Sequence, residues 1–244
     1  MVKVGGRVKI KIRPKMGVKK HKGEKMKKIQ RIILAFMLGI VPIQSALADS
    51  KADALVLAAG NGNLEKVKSL LNKGVDINAK ETKMGLTALM IASSGGYLNM
   101  VKYLISKGAN VNIKNNEGET ALIRASIDGH LEVVKYLIDK GANVNDKANS
   151  GRSALMIASS EGYLEIVKYL ISKGADINAK EGLNATSLMF ATIGGHLEVV
   201  KYLISKGANV NAVADGLTAL DVAITIGHHK IAEVLRKAGA KSIL

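Results

Sequence analysis

The phrase GHLEVVKYLISKGANVN occupies residues 195–211, and near-copies of it begin at Gly96, Gly129 and Gly162, each 33 residues from the next. Its glycine extends the register in both directions: Gly74, Gly108, Gly141, Gly174, Gly207 and Gly239 follow at intervals of 34, 33, 33, 33 and 32 residues. A second column opens the units, as GLTAL from Gly85, GETAL from Gly118, GRSAL from Gly151, NATSL from Asn184 and GLTAL from Gly216. A chain that respells one segment at this period cannot bury the apolar face of any single copy alone. It folds by stacking the copies around one continuous core. Six units are expected, at approximately 51–80, 83–114, 115–147, 148–180, 181–213 and 214–244.

Each unit reads as two helices. Thr87, Thr120, Ser153, Thr186 and Thr218 stand where an N-cap hydroxyl accepts a bond from a free helix N–H. A short first helix follows, as in ALMIASSGG, small enough in Ala and Ser to pack closely on a neighbour. After a glycine turn comes a second helix, LEVVKYLISK, in which Leu131, Val134, Leu137 and Ile138 form the expected apolar stripe. Glu132 at its start and Lys140 at its end suit the helix dipole. Gly141 ends it where a left-handed cap is wanted.

The order G-x-T-A-L-x-x-A, then G-H-L-E-V-V-K-Y-L-I-x-K-G-A-N-V-N, resembles the ankyrin repeat over about four fifths of the chain. The resemblance implies an all-α repeat solenoid of helix-turn-helix units with short hairpin-like loops along one edge. It also implies a non-enzymatic scaffold that grips a protein partner through its concave loop and first-helix face. One departure stands out: the family's usual T-P-L-H is here Thr87-Ala88-Leu89-Met90, and no unit has the Pro or the His. Hydrogen bonding between units through that His is therefore in doubt, and packing by Met90, Met156 and Met189 is expected in its place. Such T-A-L-M variants resemble bacterial ankyrin proteins.

The net charge of +16 invites a nucleic-acid reading, and its distribution removes it. Residues 1–48 hold 13 Lys and Arg against Glu24 alone, whereas residues 49–244 hold 23 against 19 Asp and Glu. Nucleic-acid binding wants the surplus on the folded domain, with aromatics to stack on, so no nucleic-acid partner is expected. Within the basic segment, Lys27, Lys28 and Arg31 precede a 12-residue apolar run from Ile32 to Ile43, and Ala46-Leu47-Ala48 supplies a small-x-small cleavage pattern. That layout predicts a cleavable signal peptide over 26–48, with cleavage after Ala48. The run is shorter than the roughly 20 residues that span a bilayer, so no stable membrane anchor is expected after cleavage. Residues 1–25, basic and aperiodic, read as an extension upstream of a true start at Met26. The mature protein, 49–244, is then periplasmic or secreted, and a monomer. The absence of Cys excludes disulfides, thiolate zinc sites and a cysteine nucleophile.

No nucleophile–base set recurs, no phosphate-binding glycine loop is present, and no cofactor is expected. His130, His196 and His228 each follow the glycine that opens a second helix, where Tyr97 and Tyr163 stand in two other units, and they read as structural. His229 and Glu233, at i and i+4 beside His228, are the one arrangement that a metal or enzymatic reading could use. Two ligands without a third are a weak signal, and His229 replaces a Leu read as buried in the other units. Asn184-Ala185-Thr186 matches a glycosylation sequon but stands where the other units turn on Gly, so Asn184 reads as a residue tolerating positive φ. Lys68, Lys102, Lys135, Lys168 and Lys201 form a column, and Glu65, Glu132, Glu165 and Glu198 stand three residues before four of them. Local pairing accounts for that column.

If sameness holds the units together, partner choice lies in what differs between them. Following the ankyrin resemblance, the variable loop and first-helix positions are the protein-binding candidates: Met84, Leu86, Asn116, Glu117, Glu119, Arg124, Ile127, Asp128, Asn149, Arg152, Glu161, Leu183 and Ile193. Arg124 interrupts an otherwise apolar column of Leu57, Ile91, Ile157, Phe190 and Val222. It reads either as a binding anchor or as a snorkelling Arg paired with Asp128. Exported interaction protein is the first functional expectation, with a role in stress defence by analogy, and a secreted effector acting on another cell is the alternative.

Overall fold

The computed structural model describes residues 51–244. The signal-peptide, cleavage-site and start-site expectations lie outside the described residues. Within them the chain forms twelve helices in six pairs: α1 (Lys51–Gly60) and α2 (Leu64–Asn72), α3 (Ala88–Ser94) and α4 (Leu98–Ser106), α5 (Ala121–Ile127) and α6 (Leu131–Asp139), α7 (Ala154–Glu161) and α8 (Leu164–Ser172), α9 (Ser187–Ile193) and α10 (Leu197–Ser205), α11 (Ala219–Ile226) and α12 (His229–Lys237). The only extended pairing among the described residues is two isolated antiparallel bridges, Lys147 with Ser153 and Ala214 with Leu217. First helices pack on first helices and second helices on second helices, so the units stack as two layers of an ankyrin-type solenoid.

The first helices are short because both ends are fixed locally. Thr87, Thr120, Ser153 and Thr218 accept from the backbone N–H three residues on, at 3.3, 3.3, 3.4 and 3.2 Å. Thr186 does not: its backbone is extended like the others, but its hydroxyl is buried without a hydrogen-bond partner. Ala92, Ala125, Ala158, Ala191 and Ala223 are fully buried, and their small side chains let neighbouring first helices approach. The methionines of the T-A-L-M variant do pack: Met90, Met156 and Met189 are buried, and Met90 sulfur also accepts from Thr87 N–H at 3.5 Å, closing the cap from the other side.

The second helices bury a different stripe from the one expected. Val133, Val134 and Leu137 are in the core, whereas Leu131 and Ile138 are only half-buried. The helix faces both its own first helix and the second helices flanking it, which turns the buried sector by one residue. The end of α6 is as expected: Gly141 has φ +89°, donates to Ile138 O, and lets Ala142 N–H reach Leu137 O at 2.9 Å. Asn184 has φ +66°, taking the place of the glycines at 85, 118 and 151.

Two hydrogen-bond columns then join unit to unit. The last letter of the repeated phrase is the first: Asn112, Asn145, Asn178 and Asn211 accept through Oδ1 from N–H groups of Asn143, Asp176, Asn209 and Lys241. Their Nδ2 groups donate to the next unit's Gly141, Gly174, Gly207 and Gly239 carbonyls, at 3.1, 3.0, 3.3 and 3.3 Å. The second is histidine. Ring nitrogens of His130, His196 and His228 lie 2.8, 2.7 and 2.8 Å from the carbonyls of Ser94, Ser160 and Thr192. Histidine bonding between units survives the loss of the T-P-L-H histidine, because a different histidine performs it.

Candidate functional site

The hairpins and first helices carry the variable positions, and the folded chain sorts them into four groups. Leu86 is 3% exposed and belongs to the core, so it has no surface to offer a partner. Asn116 and Asn149 are exposed but committed to the hairpin edge. Each donates its backbone N–H to the preceding loop, at Met84 O (2.9 Å) and Glu117 O (2.8 Å), and its Nδ2 to Lys83 O and Asn116 O. Glu117, Asp128, Glu161 and Leu183 face solvent, and Met84, Glu119, Arg124, Ile127, Arg152 and Ile193 are half-buried.

Arg124 is ion-paired, but not to Asp128. Its Nη1 reaches Glu119 Oε2 at 3.3 Å, with both side chains only 13% exposed, and its Nη2 reaches Ser94 Oγ at 3.3 Å. Helical side chains lean toward the helix N-terminus, which carries the guanidinium back to Glu119 in the hairpin and away from Asp128 at the C-cap. Asp128 instead accepts from Ser94 Oγ at 2.6 Å, so that one hydroxyl ties both groups together across two units. Asn115 Nδ2 supports Glu119 from behind, at 3.0 Å.

One unit further on, the Arg152 guanidinium lies 5.3 Å from the Phe190 ring centroid. Burial lowers its pKa, and the nearby charges of Glu161, Glu181 and Glu119 act in the opposite sense. Two arginines and a set of carboxylates thus form a polar island in the middle units: Arg124 stands where Ile91, Ile157 and Phe190 are buried, and Arg152 stands where Leu86, Ala185 and Leu217 are buried. Its chemistry is that of charge-assisted hydrogen bonding.

The terminal histidines take another course. Glu233 is held by Lys237 at 2.6 Å, which also lowers its pKa, and His228 turns to Thr192 O. His229 is exposed, and the Leu it replaces is half-buried in the other units, not buried as the sequence reading has it. Among the described residues no group of three or more His, Cys, Asp or Glu gathers as metal ligands would.

Sequence reasoning passed over Asp221. It occupies the position of Met90, Met156 and Met189, is fully buried, and accepts from Thr218 N–H (2.9 Å), Thr218 Oγ (2.9 Å), Ser242 Oγ (2.6 Å) and Ile243 N–H (3.2 Å). Its signal was legible: one acid in an otherwise apolar column of Met90, Ile123, Met156 and Met189.

Stacked helix pairs joined by hairpin edges define a repeat scaffold. A family model described as ankyrin repeats in three copies matches residues 32–115, 108–181 and 179–243, so the chain belongs to the ankyrin repeat family. It is a protein–protein interaction module, of a family that is generally non-enzymatic. No curated protein matches the chain.

Proposed function

We propose that the protein is exported by a signal peptide over 26–48 to the bacterial periplasm. There it captures a protein partner on the concave first-helix and hairpin face of its middle units, in the service of stress defence. The observation that carries the binding reading is the Glu119–Arg124–Ser94–Asp128 network, with Arg152 beside it. It sets half-buried arginines beside half-buried Glu119 and exposed Asp128, at positions that vary between units. Arginine in such a setting is a frequent anchor at interfaces, and a preorganised scaffold loses little entropy on docking. The export reading rests on the charge and apolar layout of 26–48.

Capture from periplasmic extract tests this reading, with the native protein as bait beside an Arg124→Ala, Arg152→Ala double variant. A partner retained by the first and lost by the second is the expected result. Equal retention by both baits removes the polar island from the interface. Fractionation of expressing cells tests the location, and recovery in the medium would favour the secreted alternative.

A further inference from the structure

The six second helices carry a charge that the rest of the solenoid does not. With their C-cap positions they span 64–73, 98–107, 131–140, 164–173, 197–206 and 229–238, and hold fourteen Lys and Arg against six Asp and Glu. The remainder of residues 51–244 holds nine against twelve. All six carboxylates of the second-helix row are already engaged. Glu65, Glu132, Glu165 and Glu198 pair with Lys68, Lys135, Lys168 and Lys201 at 2.7, 2.8, 2.7 and 2.7 Å. Glu233 pairs with Lys237 at 2.6 Å, and Asp139 with Lys173 at 3.5 Å. Eight cations are left with no carboxylate in ion-pair reach among the described residues, all of them exposed. Lys73, Lys107, Lys140 and Lys206 recur at equivalent C-caps, Lys66 and Lys102 stand on the same row, and two more lie on α12. Ordinary solubility is served by interspersed signs. Here one row is spent of its acids, and the rest of the described residues carry a slight acidic excess.

At 8–10 Å between packed helices the four C-cap lysines extend over about 40 Å. An anionic bilayer and a nucleic acid both take such a field, and the tyrosines weigh against the second. Single strands are held by bases stacked on open aromatic rings. Tyr103, Tyr136, Tyr169 and Tyr202 are half-buried, and each has a lysine ammonium 5.2 to 5.9 Å from its ring centroid, on the face a base would need. An anionic bilayer needs no open ring, because exposed ammonium groups meet lipid phosphates directly. No described helix is long and apolar enough to cross a membrane, so the attachment is peripheral and electrostatic.

We propose that the second-helix row docks on an anionic phospholipid surface, leaving the hairpin and first-helix side free for a protein partner. The test is co-sedimentation of the protein as cells process it, its N-terminus read by mass spectrometry, with vesicles of phosphatidylcholine alone or with phosphatidylglycerol added. Binding is expected only to the phosphatidylglycerol vesicles, weakening as salt rises. Each lysine at the surface contributes roughly fivefold to such binding. A K73Q, K107Q, K140Q, K206Q variant therefore loses a hundredfold or more on that principle, with an unchanged circular dichroism melt. A charge-matched K51Q, K80Q, K83Q, K180Q variant, altered outside the row, keeps its affinity. The proposal is overturned if the anionic vesicles are not bound at low salt, or if the two variants lose equally. Capture of a single-stranded oligonucleotide in preference to the vesicles overturns it as well.

Discussion

Replacing Asp221 tests how the last unit is closed. The carboxylate is fully buried and accepts four hydrogen bonds: two from Thr218, one from Ser242 Oγ and one from Ile243 N–H. In Asp221→Ala, Ser242 and Ile243 find water again, because the tail is exposed, but Thr218 N–H stays buried beside α11. One abandoned buried donor costs about 1–3 kcal/mol, and the charged tail bonds add about 1–2 kcal/mol net. The expected loss is then about 3 kcal/mol. In a domain of this size that lowers Tm by roughly 6–12 °C. Because a solenoid is stabilised by nearest neighbours, the loss falls on α11 and α12. Amide exchange should accelerate there first and leave α5 to α8 protected. Burial acts to raise the pKa of Asp221, and the hydrogen bonds from Ser242, Thr218 and Ile243 outweigh it and leave the value below the usual 3.8. A depressed folded value means that the contribution is fully present above the unfolded pKa and is lost as pH falls through the folded one. The native protein should therefore lose its margin over Asp221→Asn on acidification below pH 4. A variant whose melt and last-unit exchange match the native protein at neutral pH would refute the latch.

Other substitutions separate scaffold from site. Arg124→Ala should reduce partner capture per folded molecule and cost about 3 kcal/mol, roughly 6–12 °C in Tm, because Glu119 is only 13% exposed and keeps just the bond from Asn115; a lowered melt with unchanged capture per folded molecule would make Arg124 structural. Asn145→Ala removes the bonds to Asp176 N–H and Gly174 O, and should cost about 1–2 kcal/mol in urea titration. Leu137→Ala, at a fully buried site, should cost about 2–5 kcal/mol. A smaller loss than that of Asn145→Ala would contradict the assignment of the core to the second-helix stripe.

The period of 33, the glycine columns and the N-cap hydroxyls determine the fold from the sequence alone, because each acts within one unit or between near-identical neighbours. Local chemistry is written where it acts: Gly141 ends its helix, Asn184 turns where glycine turns elsewhere, and Glu65 holds Lys68. What the sequence alone leaves open is which neighbour a side chain reaches. Arg124 has one acid four residues ahead and another five residues behind, and only the lean of the helical side chain and the position of Ser94 decide for Glu119. Leu86 varies like a surface residue but is swallowed by the core, and Asn116 and Asn149 are spent on the hairpin edge. Spacing along the chain fixes what a residue can do within its own turn of helix. Burial and hydrogen bonding across units are set by the stacking of distant segments, and that geometry exists only in the folded solenoid.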